Sequence, residues 1–213
     1  MDYAIRKEFE NKGKLIRKIQ ELVIAAQSYD DYFDHLGPIK VYEKAGFRAN
    51  LECHHGCPDY LSDWVFNLTM KNMEDIYNRS WKWDENAKRS EIMSENAIYI
   101  FAFDEEANPI GFLHFRFEQI DYEFVIYIYD VQVEKEYEKI ALNRYLIQVV
   151  HIIGMNFKVE ACLAFLFKED HDFAELLDSL QYTHNRNSPS MYAPSLSSDY
   201  CYEIMSKSIT KKD

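Results

Sequence analysis

The run FVIYIYDVQVE over residues 124–134 carries an acid, Asp130, beside two phenols, Tyr127 and Tyr129, in an otherwise aromatic and β-branched segment. Under strict alternation Asp130 shares the face of Ile126 and Ile128, which should be buried. Either a bulge re-aims it, or it sits in a desolvated cleft, or it is a strand-end acid on an exposed face. Glu118 closes a second aromatic run, FLHFRFE. Two carboxylates and several tyrosines around one strand have the chemistry to bind an amine and take its proton. Elsewhere, Cys53-His54-His55-Gly56-Cys57 is half of a metal set. Zinc takes four ligands, usually from two separated pairs, and neither Cys162 nor Cys201 has a partner at such spacing. An ordinary loop and no metal are expected there. No nucleophile elbow, phosphate-binding loop, HExxH or GxGxxG occurs. His114 and His171 read as structural or exposed.

These groups must be positioned by a mixed set of elements. Residues 3–28 have helical spacing of Ile5, Leu15, Ile16, Ile19, Leu22, Val23 and Ala26, with a basic polar face. Residues 29–40 read as a linker ended by Gly37-Pro38, and Val41–Cys53 as containing a strand. Asp59–Ser80 is the clearest helix, from Leu61, Trp64, Val65, Leu68, Met73, Ile76 and Tyr77. A short charged helix is expected over Asp84–Met93. The period then becomes two: Ala97–Phe103 and Ile110–Phe117 form a hairpin, and Phe124–Glu134 is a third strand. A helix over Glu138–Met155, a strand over Val159–Phe167, a helix over Asp170–Leu180, a loop over Asn185–Ser198 and a strand over Tyr200–Ser206 complete the chain. This order predicts an α+β fold, a mixed sheet with helices on both faces.

The chain has 213 residues, 24 basic and 36 acidic side chains and a net charge of −12. Such a balance repels phosphate backbones, so direct nucleic-acid binding is not expected. It suits a basic partner. No run approaches the roughly 20 apolar residues of a membrane span. The N-terminus lacks the apolar core of a signal peptide, so the cysteines read as reduced thiols.

Several stretches taken together resemble the GNAT acetyltransferase family, and within it the NatD-type N-terminal acetyltransferases of histone tails. They are LECHHGCPDYLSDWVFNLTMKNMEDIYNRSWKW, GFLHFRFE, YIYDVQVE, SPSM and YEIMSKS. They run in order from about residue 41 to 208. The resemblance implies an N-terminal helical arm over 1–40, a GNAT domain over 41–208 with a mostly antiparallel twisted sheet, and a tail over 209–213. It implies acetyl transfer from acetyl-CoA to the N-terminal amine of tails beginning Ser-Gly-Arg-Gly, by direct attack with a water-assisted base. Tyr77, Tyr129 and Asp130 match the catalytic positions. Glu118, Trp81 and Tyr202 match those that bind substrate. Val131 to Val133 would pair with the pantetheine, and backbone N–H groups near Val131 would face the oxyanion. A monomer resident in cytoplasm and nucleus is expected.

Two positions depart from the family pattern. The pyrophosphate loop, usually Arg/Gln-x-x-Gly-x-Gly/Ala, aligns with Glu138-Lys139-Ile140-Ala141-Leu142-Asn143. Glycines there let backbone N–H groups reach phosphates at a helix N-terminus. Glu138 adds an opposing charge and Asn143 adds bulk, while Lys135, Lys139 and Arg144 supply cations. The Asn-x-x-Ala pattern near the sulfur becomes Asp170-His171-Asp172-Phe173-Ala174, without a tyrosine to protonate the thiolate. A non-catalytic tail binder is therefore the competing reading, and an enzyme for another amine the third.

Overall fold

The computed structural model describes residues 3–34, 36–80 and 82–210, with side chains from Asn11 onward. Its strands are β1 (Val41–Lys44), β2 (Phe47–His55), β3 (Ile98–Phe103), β4 (Pro109–Ile120), β5 (Glu123–Val133), β6 (Ala161–Phe167), β7 (Thr183–His184) and β8 (Tyr202–Ser208). They form one sheet in the order β1-β2-β3-β4-β5-β6-β8-β7. Among the described residues only β5 and β6 pair in parallel. The helices are α1 (Tyr3–Gln27), α2 (Asp59–Ser80), α3 (Glu85–Ile92), α4 (Leu142–Phe157), α5 (His171–Ser179) and α6 (Pro189–Tyr192). Among the described residues no helix is long and apolar enough to cross a membrane.

Alternation along the strands sends two sets of side chains to two cores. Leu113, Phe115, Phe117, Ile126 and Ile128 pack against Ile19 and Ala26 of α1 and Leu146, Val150 and Ile153 of α4. Tyr99, Phe101 and Phe112 on the opposite face pack against Leu61, Val65 and Leu68 of α2 and Ile92 of α3. Each fully buried side chain of this size contributes about 1.5–3 kcal/mol relative to exposure. The expected α+β architecture with helices on both faces is what forms. At Gly154 a Cβ would lie 3.0 Å from Val159 Cγ2 and 3.5 Å from Cys162 Sγ, so glycine lets α4 approach β6 this closely.

Three segments differ from the sequence expectation. Val41–Cys53, expected to contain a strand, holds two in a hairpin, turning at Ala45 and Gly46 with φ of 52° and 80°. Two positive φ values define a type I′ turn, normally signalled by Asn-Gly or Asp-Gly, and alanine gives no such signal. The expected helix from Glu138 breaks instead. A 3-10 turn covers Lys135–Ile140, Ala141 takes φ 61°, and α4 begins at Leu142. Alanine is the strongest helix former, so local propensity pointed the wrong way. The loop at 185–198 contains α6 and a 3-10 turn, Pro194–Asp199. Glu203 holds it: its Oε2 accepts from the Ser188 and Ser190 hydroxyls and from Ser190 N–H, while Lys168 Nζ lies 3.2 Å from Oε1. The SPSM run is thus tied to β8.

Two irregularities in the sheet create the site. The β4–β5 register steps from His114↔Asp130 to Phe115↔Ile128, leaving Tyr129 as the extra residue of a bulge. The β5–β6 pairing ends at Ile128↔Ala164, although β6 continues beside β8 as far as Phe167↔Tyr202. The two parallel strands therefore part where the bulge lies.

Candidate active site

A cleft of ≈ 580 Å³ opens in that gap. Ile128 to Val133 of β5 form one wall and Phe165 and Phe167 of β6 the other. Met73, Ile76 and Tyr77 of α2, Asp170, and Phe173 of α5 complete it. Parallel strands normally share a continuous hydrogen-bond ladder. Here Glu134 N–H donates to Ile110 carbonyl, which turns the alternate backbone groups of Val131 and Val133 toward the cleft. An extended ligand with amide groups can add to such an edge.

The bulge resolves the question of Asp130. It places consecutive residues, Tyr129 and Asp130, on the same face of the sheet. The Tyr129 hydroxyl donates to Glu118 Oε1 at 2.7 Å. Its ring stacks on His114 at 4.9 Å, and His114 stacks on Tyr99 at 4.8 Å. The Arg116 guanidinium covers the Tyr129 ring at 4.1 Å. Arg116 Nε also donates to His114 Nε2 at 3.2 Å, which requires that nitrogen to be unprotonated. Burial and the charges of Arg116 and Lys88 hold the His114 imidazole well below its ordinary value. His114 is a neutral ring inside the stack.

Asp130 Oδ1 accepts from Gln132 Nε2 at 2.6 Å, and Oδ2 lies 3.4 Å from Lys88 Nζ. Gln132 Oε1 accepts from Asn72 Nδ2 at 2.9 Å, and the same amide reaches Val133 carbonyl at 3.2 Å. Tyr77 meets Trp83 and Phe167 edge-on at 5.2 and 4.9 Å. Burial pushes the Tyr77 phenol up, partly offset by the Lys88 ammonium. Burial, the Glu118 hydrogen bond and the Glu118 charge push the Tyr129 phenol up. Both phenols stay protonated at neutral pH and are hydrogen-bond donors.

The other expected residues fall into three groups. Val131, Val133, Asn143 and Asp170 line the cleft with Tyr77, Tyr129 and Asp130. Asp170 caps α5 by accepting from Phe173 N–H at 3.0 Å. Its carboxyl is raised by burial, against the pull of that bond. Glu118 and Tyr202 lie beyond the lining, linked through Tyr129 and through Phe165, on which Tyr202 stacks at 5.0 Å. Lys139, Ala141 and Arg144 sit on the loop before and into α4 without lining the cleft. Arg144 turns to Ser179, and Asn143 Oδ1 takes the Arg144 N–H at 2.8 Å. Trp81 lies outside the described residues. Sequence reasoning missed Lys88, Asn72 and Gln132. Only the acid-rich surroundings of Lys88 in α3 could have flagged it. Among the described residues no group of His, Cys, Asp and Glu is placed to hold a metal. Cys53, His54 and His55 are not in a loop, as expected from the sequence, but end strand β2, where His54 meets Glu52 and His55 meets Tyr29 carbonyl.

No family model matches the chain. Among solved structures, a GNAT-family acetyltransferase from Listeria monocytogenes aligns with a TM-score of 0.56 at 10% identity, over 79% of this chain and 99% of that one. PaiA N-acetyltransferase from Thermoplasma acidophilum, in complex with coenzyme A, aligns at 0.55 and 10%, over 75% and 99%. The ribosomal-protein-S18-alanine N-acetyltransferase of Escherichia coli aligns at 0.53 and 13%, over 78% and 96%. The likeness at these identities is one of fold. The chain has the GNAT acetyltransferase fold.

Proposed function

We propose that this protein is an acetyl-CoA-dependent N-terminal acetyltransferase for basic tails of the histone type beginning Ser-Gly-Arg-Gly. The observation that carries the reading is the coincidence of bulge and strand gap. Together they put Tyr129 and Asp130 on the floor of a cleft beside an open strand edge. Acetyl-CoA, when bound, supplies an acetyl thioester as electrophile. The chain fits its pantetheine at the edge of Val131 and Val133. Lys135 and Asn143, at the mouth near the start of α4, fit the phosphate end.

A peptide α-ammonium, with a pKa of about 8, must lose a proton before it can attack. Asp130 takes that proton through a water, since a carboxylate is the acceptor the cleft floor offers. Tyr77 and Tyr129 orient the amine by hydrogen bonding. Glu118, held by Tyr129, meets the arginine of the tail, for which a carboxylate is the natural partner. Tyr202 extends this binding ground, and the net charge of −12 favours a basic substrate.

The competing reading, a tail binder without turnover, is favoured by Glu138 in the cleft lining and by the Asn143 side chain on the Arg144 N–H. Thermal unfolding with increasing acetyl-CoA separates the two. Binding to the folded state alone raises the midpoint, by about 2.7 kcal/mol of stabilisation at a hundredfold excess over Kd. A rising midpoint, with thiol released only when a tail peptide has a free N-terminus, supports the enzyme. A flat midpoint with retained peptide binding supports the binder.

A further inference from the structure

Helix α3 delivers one buried lysine against Asp130, and the roles above leave it unassigned. Lys88 and Ile92 are the buried residues of Glu85–Ile92, one turn apart on its inner face. The Lys88 side chain is 5% exposed, a depth lysine seldom reaches unpaired. Its Nζ donates to Glu91 Oε1 at 2.7 Å, lies 3.4 Å from Asp130 Oδ2 and sits 5.3 Å from the centre of the Tyr77 ring. Burial opposes the charge, and the Asp130 and Glu91 carboxylates outweigh it, so the group is a fixed ammonium. Two further bonds seat the helix end over the same ground. Arg116 Nη2 donates to Glu91 carbonyl at 3.1 Å, and the Tyr99 hydroxyl donates to Ile92 carbonyl at 3.1 Å. Lys88 thus stands at the end of a chain through Asp130, Gln132 and Asn72 to the open edge at Val133.

We infer that Lys88 is a positioning residue for acetyl transfer, its buried ammonium clamping Asp130 between α3 and Gln132 so that the carboxylate is fixed beside the bulge. The inference rests on the acetyl-transfer reading. Removing one partner of a buried ion pair leaves an uncompensated charge, so each single variant is read against the double variant.

The test compares Lys88→Met, Lys88→Arg, Asp130→Asn and the double variant Lys88→Met/Asp130→Asn with the parent. Lys88→Met is expected to lower kcat by about tenfold to a hundredfold, as small misplacements of a catalytic group do. The KM for acetyl-CoA should stay within about twofold, because ground-state binding is not what the clamp serves. Lys88→Arg should recover most of the rate. Lys88→Met should remove nothing further once Asp130 is Asn, since groups acting as a unit are not additive. If Lys88→Met does not fold, Lys88→Gln removes the charge and gives the same comparison. Additive losses, or a weakened KM with kcat intact, overturn the inference. If the parent acetylates no amine, the acetyl-transfer reading has failed. The clamp is then judged by the double-mutant cycle on unfolding, where coupling of Lys88 to Asp130 supports it and zero coupling overturns it.

Discussion

The Tyr129 hydroxyl donates to Glu118 Oε1 over 2.7 Å, joining the bulge on β5 to the acid that ends the aromatic run of β4. A hydrogen bond to a charged group is worth about 1.5–3 kcal/mol. If Tyr129 orients the amine and holds Glu118, Tyr129→Phe lowers kcat/KM about tenfold to a hundredfold. Initial rates on a tail peptide check this, and an unchanged rate removes Tyr129 from the catalytic set.

Glu118 is assigned to the arginine of the tail. Glu118→Gln should raise KM for an arginine-containing peptide about tenfold, through the loss of a charge-assisted pair. It should have little effect on a peptide with that arginine replaced by alanine. Equal effects on both peptides would show that Glu118 acts on the amine or on the fold instead.

Ala141 sits in the left-handed region at φ 61°, between the 3-10 turn and α4. A Cβ there is unfavourable by roughly 1–2 kcal/mol, and glycine removes it. Ala141→Gly should therefore stabilise the protein by about 1 kcal/mol after the extra entropy of glycine is counted. It should also improve acetyl-CoA affinity by opening the phosphate approach. Denaturant melts and calorimetry check both, and a destabilised variant would contradict the strained geometry.

His151 is buried on α4, with Nε2 2.9 Å from the Tyr182 hydroxyl. Burial, with the Lys207 charge nearby, lowers its pKa to about 4. The unfolded chain takes up that proton near pH ~6.5, before the folded one does. Its contribution is thus present above pH ~6.5 and lost as pH falls toward ~4, about 3 kcal/mol in all. Unfolding free energy should fall more steeply over that window in the parent than in His151→Gln. Parallel curves would count against the buried neutral imidazole.

The patterned elements were legible because burial on each face leaves a period in the sequence. The helix over 59–80 and the strands around FLHFRFE and FVIYIYDVQVE follow from it. Tyr129 and Asp130 stand out because an acid breaks that pattern, and a bulge is one way a strand accommodates it. At Ala141 only the aligned phosphate loop of the family pattern pointed to a break, against alanine's own helix preference, and at Ala45 only the following Gly46 marked the turn. Lys88 was hidden for a different reason. The run ENAKRSEI has the composition of a solvated helix, and only the sheet beneath it reveals that one of its charges points inward. The strand gap is likewise a relation between β5 and β6 that neither segment carries alone.

The most direct test of the account is to incubate the protein with acetyl-CoA and a Ser-Gly-Arg-Gly tail peptide that also contains lysine, then map the acetyl group by mass spectrometry. The account predicts acetylation on the α-amine alone, lost in Asp130→Asn. Acetyl groups on lysine side chains, or none while the peptide is bound, would contradict it.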